Sequence, residues 1–103
     1  MIKVSVFYAN REVGKFDIGY YCNKHIPLVK KLLGAALKGA AVDQGITGLP
    51  PGTPAPYAAI GHLLFDSAES FQKAFDAHAA PIMADIPNYT NLQPIIQLSE
   101  VKL

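Results

Sequence analysis

The sequence has little of what defines several large classes of protein. Its 103 residues include one cysteine, Cys22, and no tryptophan, and only 17% of the residues are charged. A single cysteine excludes a disulfide within the chain and is ordinary in a reducing compartment. The N-terminus also lacks a basic region followed by an apolar run, which a secretory signal requires. These absences predict a cytoplasmic protein.

Long runs of similar residues are also lacking. No segment reaches the roughly 18 apolar residues that cross a bilayer, so a membrane is not an expected partner. The nine basic and eight acidic residues are dispersed along the chain and give a formal net charge of +1. Nucleic acid binds to a concentrated basic face, and this chain has no basic run to form one. We therefore expect no nucleic-acid partner.

Motifs for metals and cofactors are absent as well. No glycine-rich segment has the GxGxxG or GxxxxGKS/T spacing that binds phosphate groups after a strand. No pair of histidine, cysteine or acidic residues has a recognised metal-ligand spacing, and His25, His62 and His78 come from different predicted elements. We predict neither a metal site nor a bound cofactor.

Hydrophobic residues make up 50% of the chain, and their periodicity predicts a single domain over residues 1–103. Alternating or continuous apolar patterns predict strands at residues 2–8, 37–43, 57–65 and 94–101. A helix is predicted over residues 17–33, and a second from Ser67 to about His78, where Pro81 should interrupt it. Residues 45–56 contain four prolines and three glycines and are predicted to form a loop, either a binding rim or a plain connection.

This order of elements is typical of a ferredoxin-like α+β fold, βαββαβ, with two helices on one face of a four-stranded antiparallel sheet. The other sheet face should still be apolar, because residues 2–8 and 57–65 carry hydrophobic side chains on both sides. A second copy of the chain is the simplest cover for such a face. We therefore predict a homodimer packed sheet against sheet, a dimeric α+β barrel.

The only dense cluster of polar and aromatic side chains is Tyr20–Leu28. Tyr21 and His25 recur with leucines at helical spacing, so His25 should point inward. Pro27 cannot donate a hydrogen bond to the Asn23 carbonyl, which predicts a kink within a turn of His25. An inward histidine serves as a general base or acid. It is equally explained as a core residue bonded to the Asn23 carbonyl, and the sequence leaves both readings open.

Four other residues are candidates for ligand contacts. Tyr21 is placed to bond a ligand oxygen, or is an ordinary core residue. Gly61 leaves room for a helix or a flat ligand, which favours its side of the third strand as the side beneath the helices. His62 would then point into the barrel as a structural or ion-paired residue. Tyr57 and Tyr89 are expected at the rim of a pocket, or as packing residues.

Several segments of the chain resemble the EthD family, named after a protein of a bacterial pathway that degrades ethyl tert-butyl ether. The resemblance covers essentially the whole chain and implies a ferredoxin-like subunit, a barrel dimer and a pocket between helices and sheet. The segments that carry it are Phe16-Asp17 with Tyr20-Tyr21, Lys24-His25-Ile26-Pro27-Leu28, Gly61-His62-Leu63-Leu64-Phe65-Asp66-Ser67 and Asp85-Ile86-Pro87-Asn88-Tyr89-Thr90-Asn91.

The resemblance does not imply one reaction, since similar proteins include accessory factors, lactone isomerases and fungal polyketide decarboxylases or dehydratases. Our first hypothesis is an enzyme of catabolism or polyketide-type metabolism that acts on a small apolar, oxygen-bearing molecule. His25 would move a proton and Tyr21 would orient an oxygen, as in isomerisation, decarboxylation or dehydration next to a carbonyl. The alternatives are a non-catalytic binding protein that serves an oxygenase system and a structural dimer without a ligand.

Overall fold

The computed structural model describes all 103 residues and contains four strands, β1 Ile2–Ala9, β2 Gly39–Gln44, β3 Tyr57–Phe65 and β4 Pro94–Glu100. They form one antiparallel sheet with the order β2-β3-β1-β4. The central strands β1 and β3 pair with each other, and β2 and β4 form the two edges. The predicted ferredoxin-like α+β fold is confirmed.

The first helix changes its hydrogen-bonding pattern in the middle. It is α-helical over Ile18–Tyr20, π-helical over Tyr21–His25 and α-helical again over Ile26–Leu33. Because Pro27 has no N–H for the carbonyl four residues earlier, the helix takes a wider turn in which Ile26 N–H bonds to the carbonyl of Tyr21. The interruption predicted within a turn of His25 is therefore present.

Both ends of this helix follow from local sequence. The Asp17 side chain accepts a hydrogen bond from Tyr20 N–H and so caps the helix at the residue where it was predicted to begin. Gly34, at φ 56°, follows the last helical residue in a conformation that glycine adopts without strain. Leu37 then donates its N–H to Gly34 to close a 3₁₀ turn. For that reason β2 begins at Gly39, two residues later than predicted.

The second helix, Ala68–Asp85, begins as predicted but is longer than predicted. The Ser67 hydroxyl caps it by accepting from Ser70 N–H. The expected interruption near His78 is wrong, because the helix continues through Pro81. This proline is exposed, so water can satisfy the carbonyl that it leaves unbonded, while Ile82 beside it is buried against the core.

Both helices pack on one face of the sheet and bury two clusters of side chains. The first cluster is built from aliphatic and phenylalanine residues, Val4, Val29, Leu33, Phe65, Phe71 and Ile82. The second is rich in tyrosine and contains Tyr8, Tyr21, Ile26, Ala59, Tyr89 and Leu92. Neither helix combines the length and the apolarity that a membrane span requires.

From Ala59 to Phe65 the odd-numbered residues of β3 face the helices, as the small size of Gly61 suggested. Ala59 and Phe65 are fully buried on this face. Gly61 lies directly beneath the Tyr21 ring, so that a Cβ atom there would overlap the Tyr21 hydroxyl. The absence of a side chain at Gly61 is therefore what lets the π-helical turn approach the sheet.

The opposite, open face of the sheet is only partly apolar. At one end Phe7 contacts Tyr57, with ring centroids 5.0 Å apart, and pairs with Ile60 and Ile95 across the neighbouring strands. The next row of the sheet is polar: it pairs Ser5 with His62 and with Gln97. The expectation of an apolar face thus holds for one end of the sheet.

Replacing Gly61 with alanine should lower the free energy of unfolding by about 1–3 kcal/mol, because the new methyl group overlaps the Tyr21 hydroxyl. Urea-induced unfolding of the wild type and the variant measures this difference in the free energy of unfolding. The matched control is Gly19→Ala in the exposed first turn of the first helix, where the methyl group makes ordinary contacts. That control should be neutral or stabilising. Equal losses in the two variants would contradict close packing at Gly61.

Candidate functional site

A cavity lies between the helices and the sheet. Its empty volume is about 620 Å³, a figure that includes space open to solvent. Fourteen of the sixteen lining residues are hydrophobic, and no lysine, arginine, aspartate or glutamate is among them. Phe71, Phe75, Ile82 and Ile96 form part of the apolar wall. His25 supplies its only imidazole.

His25 is 5% exposed and is held by the second helix. Its Nδ1 lies 2.8 Å from Oδ2 of Asp85, the last residue of that helix. The other ring nitrogen, Nε2, makes no hydrogen bond with the protein, and His25 lines the cavity. The bond to the Asn23 carbonyl that the sequence suggested is replaced by this bond to a carboxylate, and Nε2 is left for a ligand.

The Asp85 carboxylate is held by three donors. The Tyr20 hydroxyl donates to Oδ1 at 2.6 Å, Asn88 Nδ2 donates to the same oxygen at 3.0 Å, and His25 bonds to Oδ2. Burial acts to raise the pKa of the Asp85 carboxyl, but the bonds from Tyr20, Asn88 and His25 outweigh it and bring that pKa below its ordinary value. Asp85 is therefore ionised at neutral pH and can stabilise a protonated His25.

Two buried tyrosines flank the imidazole, and a third, Tyr8, is bonded to one of them. The ring of Tyr21 stacks on His25 at 5.5 Å with an interplanar angle of 14°, and the ring of Tyr89 lies 4.7 Å from His25. The hydroxyls of Tyr8 and Tyr89 are 2.7 Å apart. Burial raises the pKa of Tyr8, Tyr21 and Tyr89 well above the ordinary value for tyrosine. These phenols stay neutral and act as hydrogen-bonding groups rather than as charges.

Of the predicted site residues, the structure brings together Tyr21, His25 and Tyr89. Tyr57 and His62 lie on the open face of the sheet, away from the cavity. His62 Nε2 is 2.9 Å from Asp43 Oδ2, and its Nδ1 is 3.2 Å from the Ser5 hydroxyl. A role for Tyr57 or His62 in ligand binding would place that ligand on the open face.

Sequence reasoning missed two residues at the centre of the site, Asp85 and Tyr8. Asp85 opens one of the segments that carry the family resemblance, but nothing local indicates a partner 60 positions earlier. Tyr8 ends the inward row of the alternating first strand, so the strand pattern could have identified it. Tyr20 was seen only as part of a cluster, and its bond to Asp85 depends on how the two helices meet.

Comparison with known proteins matches most of this chain to a single family. The EthD domain profile matches residues 15–93. The crystal structure of an EthD-like protein from Ralstonia eutropha JMP134 is 42% identical and superimposes with a TM-score of 0.96, covering 99% of this chain and 92% of that one. None of the curated proteins matches.

Two more distant structures share the fold. An EthD family protein from Bacillus halodurans C-125 is 23% identical, with a TM-score of 0.73 over 99% of both chains. A dimeric ferredoxin-like protein from an uncultured marine organism is 13% identical, with a TM-score of 0.56 over 98% of this chain and 94% of that one. At 23% and 13% identity, these two comparisons show a shared fold and nothing more specific.

Replacing Asp85 with asparagine should remove a pH-dependent part of the stability. Because the pKa of Asp85 is lowered on folding, its carboxylate stabilises the folded state above roughly pH 4, the unfolded value for aspartate, and this contribution is lost as the pH falls through the folded pKa. Urea unfolding of both proteins should give a difference of about 1–3 kcal/mol near pH 6 that shrinks below about pH 3.

The matched control for this prediction is Asp66→Asn. Asp66 is 65% exposed and lies 3.8 Å from Lys38, so its removal should change stability little at any pH. If the difference in unfolding free energy between the wild type and Asp85→Asn stayed constant from pH 7 to pH 3, it would contradict our view that Asp85 is ionised and hydrogen-bonded in the folded state.

Proposed function

This chain belongs to the EthD family, and from that premise we propose that it binds a small apolar, oxygen-bearing molecule in the cavity between helices and sheet and moves a proton on that molecule without a cofactor. The observation that carries the proposal is the position of His25. One nitrogen of its ring is bonded to Asp85, the other has no partner in the protein, and the side chain lines an otherwise apolar cavity. This pairing of an imidazole with a carboxylate is common among general bases.

The proposed step is a proton transfer next to a carbonyl group. Nε2 of neutral His25 takes a proton from carbon, the electron pair moves onto the carbonyl oxygen, and the resulting imidazolium is stabilised by Asp85 at 2.8 Å. Tyr21 donates a hydrogen bond to the enolate oxygen, as a phenol that burial keeps neutral. Return of the proton to another atom completes an isomerisation, and loss of water or carbon dioxide from related substrates uses the same groups.

The proposal includes a homodimer in which two copies pack through the open face of the sheet. Its support is the apolar end of that face, where Ile60, Phe7 and Ile95 lie in one row across three strands and Ile95 is 56% exposed in the single chain. A dimeric protein of the same fold is also known.

A cytoplasmic location and a role in catabolism or polyketide-type metabolism also belong to the proposal. The cytoplasmic location is supported by the free cysteine, Cys22.

The enzymatic part is tested with 2-tetralone, an apolar ketone whose α-protons exchange with solvent. In D₂O the protein should accelerate this exchange, followed by proton NMR, and His25→Gln should reduce the acceleration about 10²- to 10⁴-fold. The matched control is His62→Gln, because His62 also pairs with an aspartate but lies outside the cavity. It should keep the wild-type rate.

Three outcomes are separated by this experiment. Full exchange activity in His25→Gln would refute the mechanism. Binding of 2-tetralone without any acceleration by the wild-type protein would instead favour a non-catalytic binding protein that serves a partner. A protein that neither binds nor accelerates would favour a purely structural role.

The dimer is tested by sedimentation equilibrium at micromolar concentration. The wild-type chain should sediment as a dimer, and Ile95→Lys should sediment as a monomer, because it places a charge within the apolar end of the interface. Val13→Lys is the control, since Val13 is 81% exposed in a loop away from the sheet face. A monomeric wild-type chain would refute the dimer and leave the cavity chemistry untouched.

A further inference from the structure

The hydrogen bonds around Asp85 decide which His25 nitrogen carries the proton. An ionised carboxylate only accepts hydrogen bonds, so Nδ1 of His25, 2.8 Å from Asp85 Oδ2, must be the donor. The carboxylate cannot rotate freely, because its other oxygen accepts from the Tyr20 hydroxyl and from Asn88. In the neutral imidazole the remaining nitrogen, Nε2, is therefore an acceptor only.

Nε2 of His25 has no hydrogen-bond partner in the protein, and fourteen of the sixteen cavity residues are hydrophobic. The ring of Tyr21 stacks on the imidazole, and its hydroxyl lies against Gly61 rather than at Nε2. The hydroxyls of Tyr8 and Tyr89 are engaged with each other at 2.7 Å. An acceptor in an apolar cavity is satisfied best by a ligand that brings its own donor, because leaving it unpaired on ligand binding costs free energy.

The charged groups around the cavity also disfavour an anionic ligand. No lysine or arginine lines it, so a carboxylate ligand has no cation other than a protonated His25. That imidazolium is already paired with the ionised Asp85. A carboxylate ligand beside neutral His25 would leave two negative charges and no positive one in the site unless a proton were taken up from solvent. A neutral ligand that passes its own proton to Nε2 leaves the net charge of the site unchanged.

We propose that the cavity selects neutral apolar ligands that carry a hydroxyl group, a phenol or an enol, over the corresponding ether and carboxylate. This inference rests on the proposed function and narrows its substrate class. In the step that it implies, the ligand O–H bond breaks, the proton moves to Nε2, and the electron pair stays on the oxygen. The imidazolium formed is stabilised by Asp85. For an enol, return of that proton from Nε2 to carbon gives the ketone and restores neutral His25.

Calorimetric titration with three naphthalenes of similar size tests the selection at pH 7.5. The probes are 2-naphthol, which donates a hydrogen bond, 2-methoxynaphthalene, which cannot, and 2-naphthoate, which is charged. One hydrogen bond to an acceptor that is otherwise unpaired corresponds to roughly tenfold in affinity. The wild-type protein should therefore bind 2-naphthol about tenfold more tightly than either of the other two probes.

Two variants test whether the preference for 2-naphthol depends on the dyad formed by His25 and Asp85. His25→Leu removes the acceptor, and the ratio of the affinities for 2-naphthol and 2-methoxynaphthalene should fall to about 1. Asp85→Asn replaces the fixed acceptor by an amide that can also donate to Nδ1, which frees Nε2 to carry the proton. The ratio should then fall without a comparable loss of affinity for 2-methoxynaphthalene. A role of Asp85 in stability alone would weaken the binding of both probes equally.

Equal binding of 2-naphthol and 2-methoxynaphthalene by the wild-type protein would overturn the inference, as would tighter binding of 2-naphthoate or no binding of any probe. The outcome is separable from that of the exchange assay. Acceleration of 2-tetralone exchange with no preference for 2-naphthol would leave the enzyme proposal standing and remove only the hydroxyl selection. A preference for 2-naphthol without exchange would leave a selective binding protein.

Discussion

The bond between His25 and Asp85 is the constraint around which the helical layer is arranged. It joins the middle of the first helix to the last residue of the second, and it is 2.8 Å long and nearly buried. Polar groups are buried at acceptable cost only when their hydrogen bonds are made. Tyr20 and Asn88 complete the shell of Asp85, and no fully buried side-chain nitrogen or oxygen lacks a partner. The cavity therefore lies beside a fixed dyad.

The sequence predicted most of what positions this dyad, because those features are local. The first helix was predicted to begin at Asp17, and Pro27, two residues after His25, indicated a kink close to that histidine. The second helix was predicted too short because proline's effect depends on exposure, which a sequence does not state. Asp85 was missed for a related reason: its function depends on a helix end reaching a residue 60 positions away, and only packing decides that.

The two paired histidines show why geometry was needed to assign a site. Each lies on a regular element, and each bonds to an aspartate, His25 to Asp85 and His62 to Asp43. At His62 both ring nitrogens are used, since Nδ1 is within 3.2 Å of the Ser5 hydroxyl. At His25 one nitrogen is left without a protein partner, and the side chain lines an apolar cavity. A spare nitrogen beside a cavity distinguishes a candidate base from a structural histidine.

The apolar wall and the dyad act together on any proton that reaches the cavity. In a site with few polar groups an isolated charge is costly, so an anion forms there only next to a cation. The tyrosines cannot supply charge, because burial raises the pKa of Tyr8, Tyr21 and Tyr89. Only the imidazole, stabilised by Asp85, can accept a proton and hold it beside the anion that remains. The cavity therefore favours ligands whose chemistry begins with the loss of a proton to Nε2.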